Sequence, residues 1–172
     1  MPYVPLLRAV DAEEQIVLPK RLPEMVRVPA QGMTGLCLSE SLFRMPTHWD
    51  GKLTTLCQAP KDCELCQTAE LREYFLLGFW DNFESSSVWV QLTPPAGRSL
   101  LTQCKQLNRP LHGTTVKISR ARKKGNSPIS VAVDQWANCV SKLPTMVSPQ
   151  GTIERVFGSR DPARILHGEC VE

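Results

Sequence analysis

The stretch THWDGKLTTLCQAPKDCELCQ, residues 47–67, concentrates one of the chain's three histidines and three of its seven cysteines. The spacing is His48-x8-Cys57-x5-Cys63-x2-Cys66. Two cysteines separated by two residues sit on one short turn, where both thiolates reach the same ion and backbone N–H groups offset the sulfur charge. A tetrahedral Zn2+ accepts three cysteines and one histidine readily. Asp62 and Glu64 flank Cys63 with charge, which is awkward for a pair buried as ordinary core, and Gly51 and Pro60 supply turns that bring the ligands together. Reduced structural cysteines and a redox pair are the competing readings. The spacing favours one structural zinc held by His48, Cys57, Cys63 and Cys66. With four protein ligands such an ion has no open position, so hydrolysis at the metal is not expected. The nucleobase-deaminase pattern, H-x-E followed by P-C-x-x-C, fails at both ends: Trp49 and Asp50 follow His48, and Asp62 precedes Cys63.

Outside this block, 172 residues fit one compact domain with an arm at each end. Fourteen prolines argue for short strands and turns rather than a helical bundle. No window is apolar enough to span a bilayer, and the opening MPYVPLLRAVDAEEQ lacks a signal-peptide pattern. We therefore expect an intracellular protein, in cytoplasm or nucleoid, not secreted and without a membrane partner. In such a reducing compartment clustered cysteines bind metal rather than pair as disulfides.

Residues 1–30 hold five prolines without a sustained period and read as an extended N-terminal arm or a packed irregular segment. QGMTGLCLSESLF, residues 31–43, suits a strand with a glycine bend. The metal insertion occupies 45–70. Residues 73–81 and 86–93 form an antiparallel hairpin around the turn DNFESS. Leu100, Leu101, Cys104 and Leu107 then fall at helical spacing after Pro94 and Pro95. In GTTVKISRARKKGNSPISVAV, Val116, Ile118, Ile129, Val131 and Val133 alternate with polar residues, which gives a second hairpin with a basic tip. The C-terminal extension, 134–172, is irregular, with a short helix expected near residues 136–143. The fold class expected is mainly β, small α+β. Its core is a five-stranded OB-like barrel over 31–133, with the zinc insertion between the first and second strands and the helix between the third and fourth.

Between Glu84 and Asp134 there is no Asp or Glu, while Arg98, Lys105, Arg109, Lys117, Arg120, Arg122, Lys123 and Lys124 all lie there. A chain polarised in this way presents one region suited to a polyanion. An OB barrel binds single strands by stacking bases on aromatic rings and tracking phosphates with cations. Tyr74, Trp80 and Trp89 are the stacking candidates. Lys105, Lys117, Arg120, Arg122, Lys123 and Lys124 are the phosphate candidates. Along the hairpin, Tyr74, Leu76, Gly78 and Trp80 share one face, and Phe75, Leu77 and Phe79 the other. Cys37, Cys104 and Cys139 read as small buried hydrophobes, and His112 and His167 as solvated loop histidines.

A zinc subdomain with one histidine followed by three cysteines, the last two spaced C-x2-C, set inside an OB-type barrel near a basic and aromatic cleft, resembles the T4-type bacteriophage single-stranded-DNA-binding proteins. His48, Cys57, Cys63 and Cys66 carry the match together with the strand order over about residues 31–133. The ligand spacings are shorter here, and neither a strongly acidic C-terminal tail nor a basic N-terminal segment is seen in these residues. The resemblance implies sequence-tolerant binding of single-stranded DNA or RNA, with replication or recombination proteins as partners. The alternative is a zinc-stabilised adaptor whose basic hairpin meets an acidic protein. No nucleophile–base pair, phosphate-cradling glycine loop or carboxylate pair placed for acid–base chemistry is visible, so an enzyme is not expected.

Overall fold

The structure is a computed structural model that describes residues 22–57, 63–121, 127–143, 146 and 148–157. It is mainly β. The strands are β1 (Glu24–Arg27), β2 (Met33–Cys37), β3 (Phe43–Trp49), β4 (Thr54–Leu56), β5 (Glu70–Asp81), β6 (Ser86–Leu92), β7 (Thr115–Arg120) and β8 (Ile129–Val133). Helix α1 (Pro94–Gln106) follows β6, and α2 (Gln150–Phe157) ends the described chain. A short 3-10 turn, Glu64–Gln67, precedes β5. No helix among the described residues is long and apolar enough to cross a membrane.

All eight strands form one mixed sheet in the order β1-β6-β5-β2-β7-β8, with β3 paired to β5 and β4 to β3. The strand β5 is long enough to take two partners on one edge. Residues 70–76 pair with β3, and 79–81 pair with β2. At the junction Gly78 passes between them: its carbonyl accepts the N–H of Leu38 at 2.7 Å, and its N–H donates to Ser39 Oγ at 3.0 Å. The bend expected in the first strand thus falls after Cys37, where the chain leaves β2 to begin β3.

Period-two alternation sorts β5 into two cores, as expected. Phe75, Leu77 and Phe79 join Cys37, Val90, Leu100, Val116, Ile118 and Val131 under α1. Leu76 joins Leu38, Met45, Trp89, Met146 and Ile153 on the opposite face, with Tyr74, Trp80, Leu143 and Phe157 packed at its margin. A strand covered on both sides reads as a near-continuous apolar run, which is why EYFLLGFW shows so little polar punctuation. The helix α1 begins at Pro94 itself, because a proline at the first helical position gives up an N–H that has no partner there. Its close seat on β5 needs a residue without a side chain: a Cβ at Gly97 would lie 2.1 Å from the Phe75 ring.

Three expectations are corrected. The sheet is not closed into a barrel: among the described residues β8 pairs only with β7, and the free edge of β6 is taken by β1, in parallel. Residues 24–27 are therefore a strand, although a proline-rich segment around them carries no period to announce it. The helix expected near 136–143 is absent. Those residues form bends, and the helix comes later, as α2.

The C-terminal segment crosses the second face of the sheet. Met146 lies so close to Gly78 that a Cβ there would come within 2.6 Å of its sulfur. His112 places one ring nitrogen 2.9 Å from the Leu38 carbonyl and the other 3.0 Å from that of Leu143, and Thr152 donates to Pro23 O at 2.8 Å. Replacing Gly78 by valine is expected to push this segment off the sheet and to cost about 1–3 kcal/mol, as overpacking of a filled site does. Urea denaturation with limited proteolysis checks it. Unchanged stability and unchanged resistance of the segment would show that it does not rest on β5.

Candidate metal centre

The hairpin β3–β4 and the turn before β5 bring the four ligands together. Asp50 closes the hairpin by accepting the N–H groups of Lys52 and Leu53, each at 2.8 Å, while Gly51 takes the positive φ of 99° that the turn requires. His48 pairs with Thr55 of β4 and Leu71 of β5, and Cys57 N–H donates to Pro46 O at 3.0 Å. Positions 46, 48, 55 and 57 consequently share one face of the hairpin, so the side chains of His48 and Cys57 project together. Cys63 and Cys66 belong to the 3-10 turn, closed by Cys66 N–H to Cys63 O at 3.0 Å. The pairing of β3 with β5 seats that turn beside His48.

The ligand atoms of His48, Cys57, Cys63 and Cys66 all lie within 4.8 Å of one another, and all but Cys66 are fully buried. The sulfurs of Cys57 and Cys66 are 3.7 Å apart, and His48 Nε2 is 3.5 Å from the sulfurs of both Cys63 and Cys66. An ion bound tetrahedrally at about 2.3 Å from sulfur and about 2.0 Å from nitrogen sets those edges at about 3.8 and about 3.5 Å. The residues therefore fit a tetrahedral metal. Burial, and then the adjoining Cys66 and Cys63 sulfurs, push the Cys57 thiol up to about 12. Three thiols in that space ionise together only when a cation shares their charge.

The surroundings supply polar bracing on the outer side. Arg72 lies over the Trp49 ring, 5.4 Å from its centroid, and binds Glu70; Arg44 pairs with Glu73 across β3 and β5. Trp49 is thus packed on the metal hairpin.

The other candidate residues are not gathered at this centre. Trp89 is 0% exposed and meets Phe43 edge to face at 5.4 Å, so its ring lies inside the second core and not at a surface. Tyr74 and Trp80 are half-buried at the margin of the same core, beneath the C-terminal segment. Lys105, in the last turn of α1, and Lys117, opposite Thr34, are exposed. Arg120 is half-buried and donates to the carbonyls of Val28 and Ser127. Arg122, Lys123, Lys124, His167 and Cys170 lie outside the described residues. Cys37 and Cys104 are core residues, and burial raises both thiols above their ordinary range. His112, expected in solvent, is instead bound between two carbonyls. Sequence reasoning also passed over Arg109 and Trp136, whose one local signal is Asp134, a turn-forming residue just ahead of the tryptophan.

No protein-family model, curated protein or solved structure matches this chain.

Replacing Cys66 by serine is expected to abolish stoichiometric metal retention and to unfold the β3–β4 hairpin, since metal binding at such sites is folding free energy. Cys104→Ala is expected to leave the metal content unchanged. Elemental analysis of both variants decides this, and equal metal in wild type and Cys66→Ser would remove Cys66 from the ligand set.

Proposed function

We propose that the chain is a non-enzymatic, sequence-tolerant single-stranded nucleic-acid-binding protein, DNA being the first substrate to test, whose fold is held by one structural zinc. The observation that carries this reading is the destination of the acid-free stretch. It supplies β6, α1, β7 and β8, and α1 is fixed to β8 by Gln103, which donates to Val131 O at 2.8 Å and accepts from Val133 N–H at 3.0 Å. The exposed Arg98 and Lys105 therefore belong to one packed unit that carries neither Asp nor Glu between residues 85 and 133, whereas Lys117, on the sheet face opposite α1, shares a cleft with Asp81 and Glu84. Such a unit attracts phosphate without an internal acid to compete for its cations.

Strand pairing supports the same reading. The five strands expected from sequence run β6-β5-β2-β7-β8, third-second-first-fourth-fifth, with α1 between third and fourth. We read this as an OB-like order opened between its third and fifth strands, the OB-fold being a partly open Greek-key barrel. The metal hairpin between the first and second of these strands keeps the resemblance to the T4-type phage single-stranded-DNA-binding proteins. Zinc is the ion proposed because three thiolates and an imidazole on a closed tetrahedron suit it better than the harder, octahedral cations.

A second reading has its own observation. An open cleft of about 800 Å³ lies between β1 and the tip of the β5–β6 hairpin, lined among others by Glu24, Arg27, Asp81, Glu84 and Lys117, and Phe83 beside it is 86% exposed. Mixed charge around an exposed ring suits a protein segment better than a phosphate backbone, as an adaptor would require.

Binding to oligonucleotides across a salt series separates the two. Each phosphate neutralised on a single strand contributes about 0.7 to the salt slope. Arg98→Ala with Lys105→Ala is expected to make the slope shallower by roughly 1, and Arg122, Lys123 and Lys124 to alanine by roughly 1–2. Equal affinity for a matched duplex, or affinity indifferent to salt, would overturn the nucleic-acid reading and leave the adaptor. Elemental analysis is expected to return about one zinc per chain.

A further inference from the structure

After β8 the chain makes a turn whose construction serves a single side chain. Asp134 accepts the N–H of Trp136 at 2.9 Å and that of Ala137 at 3.2 Å through Oδ1. Arg109, just past α1, donates Nη1 to the carbonyls of Asp134 and Ala137 at 2.8 and 2.7 Å, and Nη2 to that of Gln135 at 2.8 Å. The ends are tied as well, by Asp134 N–H to Thr115 O at 2.9 Å and Val140 N–H to Gly113 O at 3.0 Å. On this braced turn the Trp136 ring stands 87% exposed, packed into neither core.

The segment that supplies Arg109 to this turn is cationic. The guanidinium of Arg109 lies against its own backbone turn. Lys105 is four residues earlier, in the last turn of α1, and Arg98 is seven residues before Lys105, so both point from the solvent face of the helix, about two turns apart. The carboxylate of Asp134 is engaged by two backbone N–H groups. Phe83, the other strongly exposed ring, sits instead between Asp81 and Glu84, where a phosphate backbone would be repelled.

An exposed aromatic face on a braced turn, joined through Arg109 to a helix that bears exposed cations, is what a stacked nucleobase with its phosphates needs. We infer that Trp136 is the base-stacking residue of this protein, with Lys105 and Arg98 following the backbone of the same single strand. The inference rests on the nucleic-acid reading above and replaces the rings that the sequence nominated, the buried Trp89 and the half-buried Tyr74 and Trp80, with one that is accessible. Arg109 is a positioning residue: it holds the turn and leaves the base to the indole.

Titration of the full chain with an oligothymidylate, read by tryptophan emission and by anisotropy of a labelled strand, tests it. Of the four tryptophans, Trp136 is the one that stands in solvent, so binding is expected to quench the red side of the emission. Trp136→Ala should lose that quench and bind at least about fivefold more weakly, the lower end of one base stack, while the salt slope and melting temperature stay at wild-type values. Trp136→Phe should recover most of the affinity, because any aromatic face stacks. If Trp136→Ala binds as the wild type does, or if its loss comes with a lower melting temperature that Trp136→Phe shares, the ring is not the stacking site. If the wild type binds no oligothymidylate even at low salt, the nucleic-acid reading falls with it, and the ring is left to a protein partner.

Discussion

A strand buried on both faces has no side on which to place a polar residue, and it must therefore be covered twice. Residues 75–79 of β5 meet that condition: Phe75, Leu77 and Phe79 face one core, and Leu76 the other. Each such side chain contributes about 1.5–3 kcal/mol when fully buried, a large share of the roughly 5–15 kcal/mol by which a domain is stable. Neither cover is dispensable on those terms. Both are admitted by a missing Cβ, at Gly97 for α1 and at Gly78 for Met146. The branching follows as well, since β5 spends one edge on β6 and divides the other between β3 and β2, so that β1, β8 and β4 are the outer strands among the described residues.

The first half of β5 is held differently. Around residues 70–74 the sheet is thin, with Leu71 50% exposed on β5 and Leu53 64% exposed in the hairpin opposite. Met45 and Leu56 tie β3 and β4 to the second core, but the turn end of the hairpin, with Leu53, stands in solvent. An ion held by His48, Cys57, Cys63 and Cys66 would add a cross-link at this end, because metal binding at such a site contributes on the order of 10 kcal/mol and the four residues come from three separate segments. That accounts for the placement of the ligands at the hairpin, after β4 and just before β5, where the chain most needs a cross-link.

What could be read in the sequence was local. The metal set was legible because C-x2-C encodes one turn and the remaining ligands lie close in the chain. The two faces of β5 and the alternation of β7 and β8 were legible because period two survives double burial as a sorting rule. Contacts between distant segments left no such trace. Glu24–Arg27 has four residues and no alternation, and only its parallel partner β6 makes it a strand. Trp89 looks like any hairpin tryptophan until the C-terminal segment, more than fifty residues later, is laid over Gly78. Trp136 was passed over for the converse reason: hydrophobic patterning finds rings that are buried, and this one is exposed by hydrogen bonds to the backbone on either side of it.

These two kinds of constraint also separate the charges. A divalent ion bound by three thiolates and an imidazole would keep one net negative charge, and Asp50 and Glu64 lie in the same part of the chain, while Glu70 and Glu73 are paired with Arg72 and Arg44. The metal end therefore repels a phosphate backbone. Leu71, beside His48, and Asp81, beside β2, stand ten residues apart on β5, about 33 Å, whereas screening at physiological salt limits such repulsion to about 8 Å. An ion bound there would stabilise the strand that supports β2, and through it β7, while its own field would fade before the β7–β8 edge. Its influence on the acid-free unit of α1, β7 and β8 would thus pass through the fold and not through electrostatics.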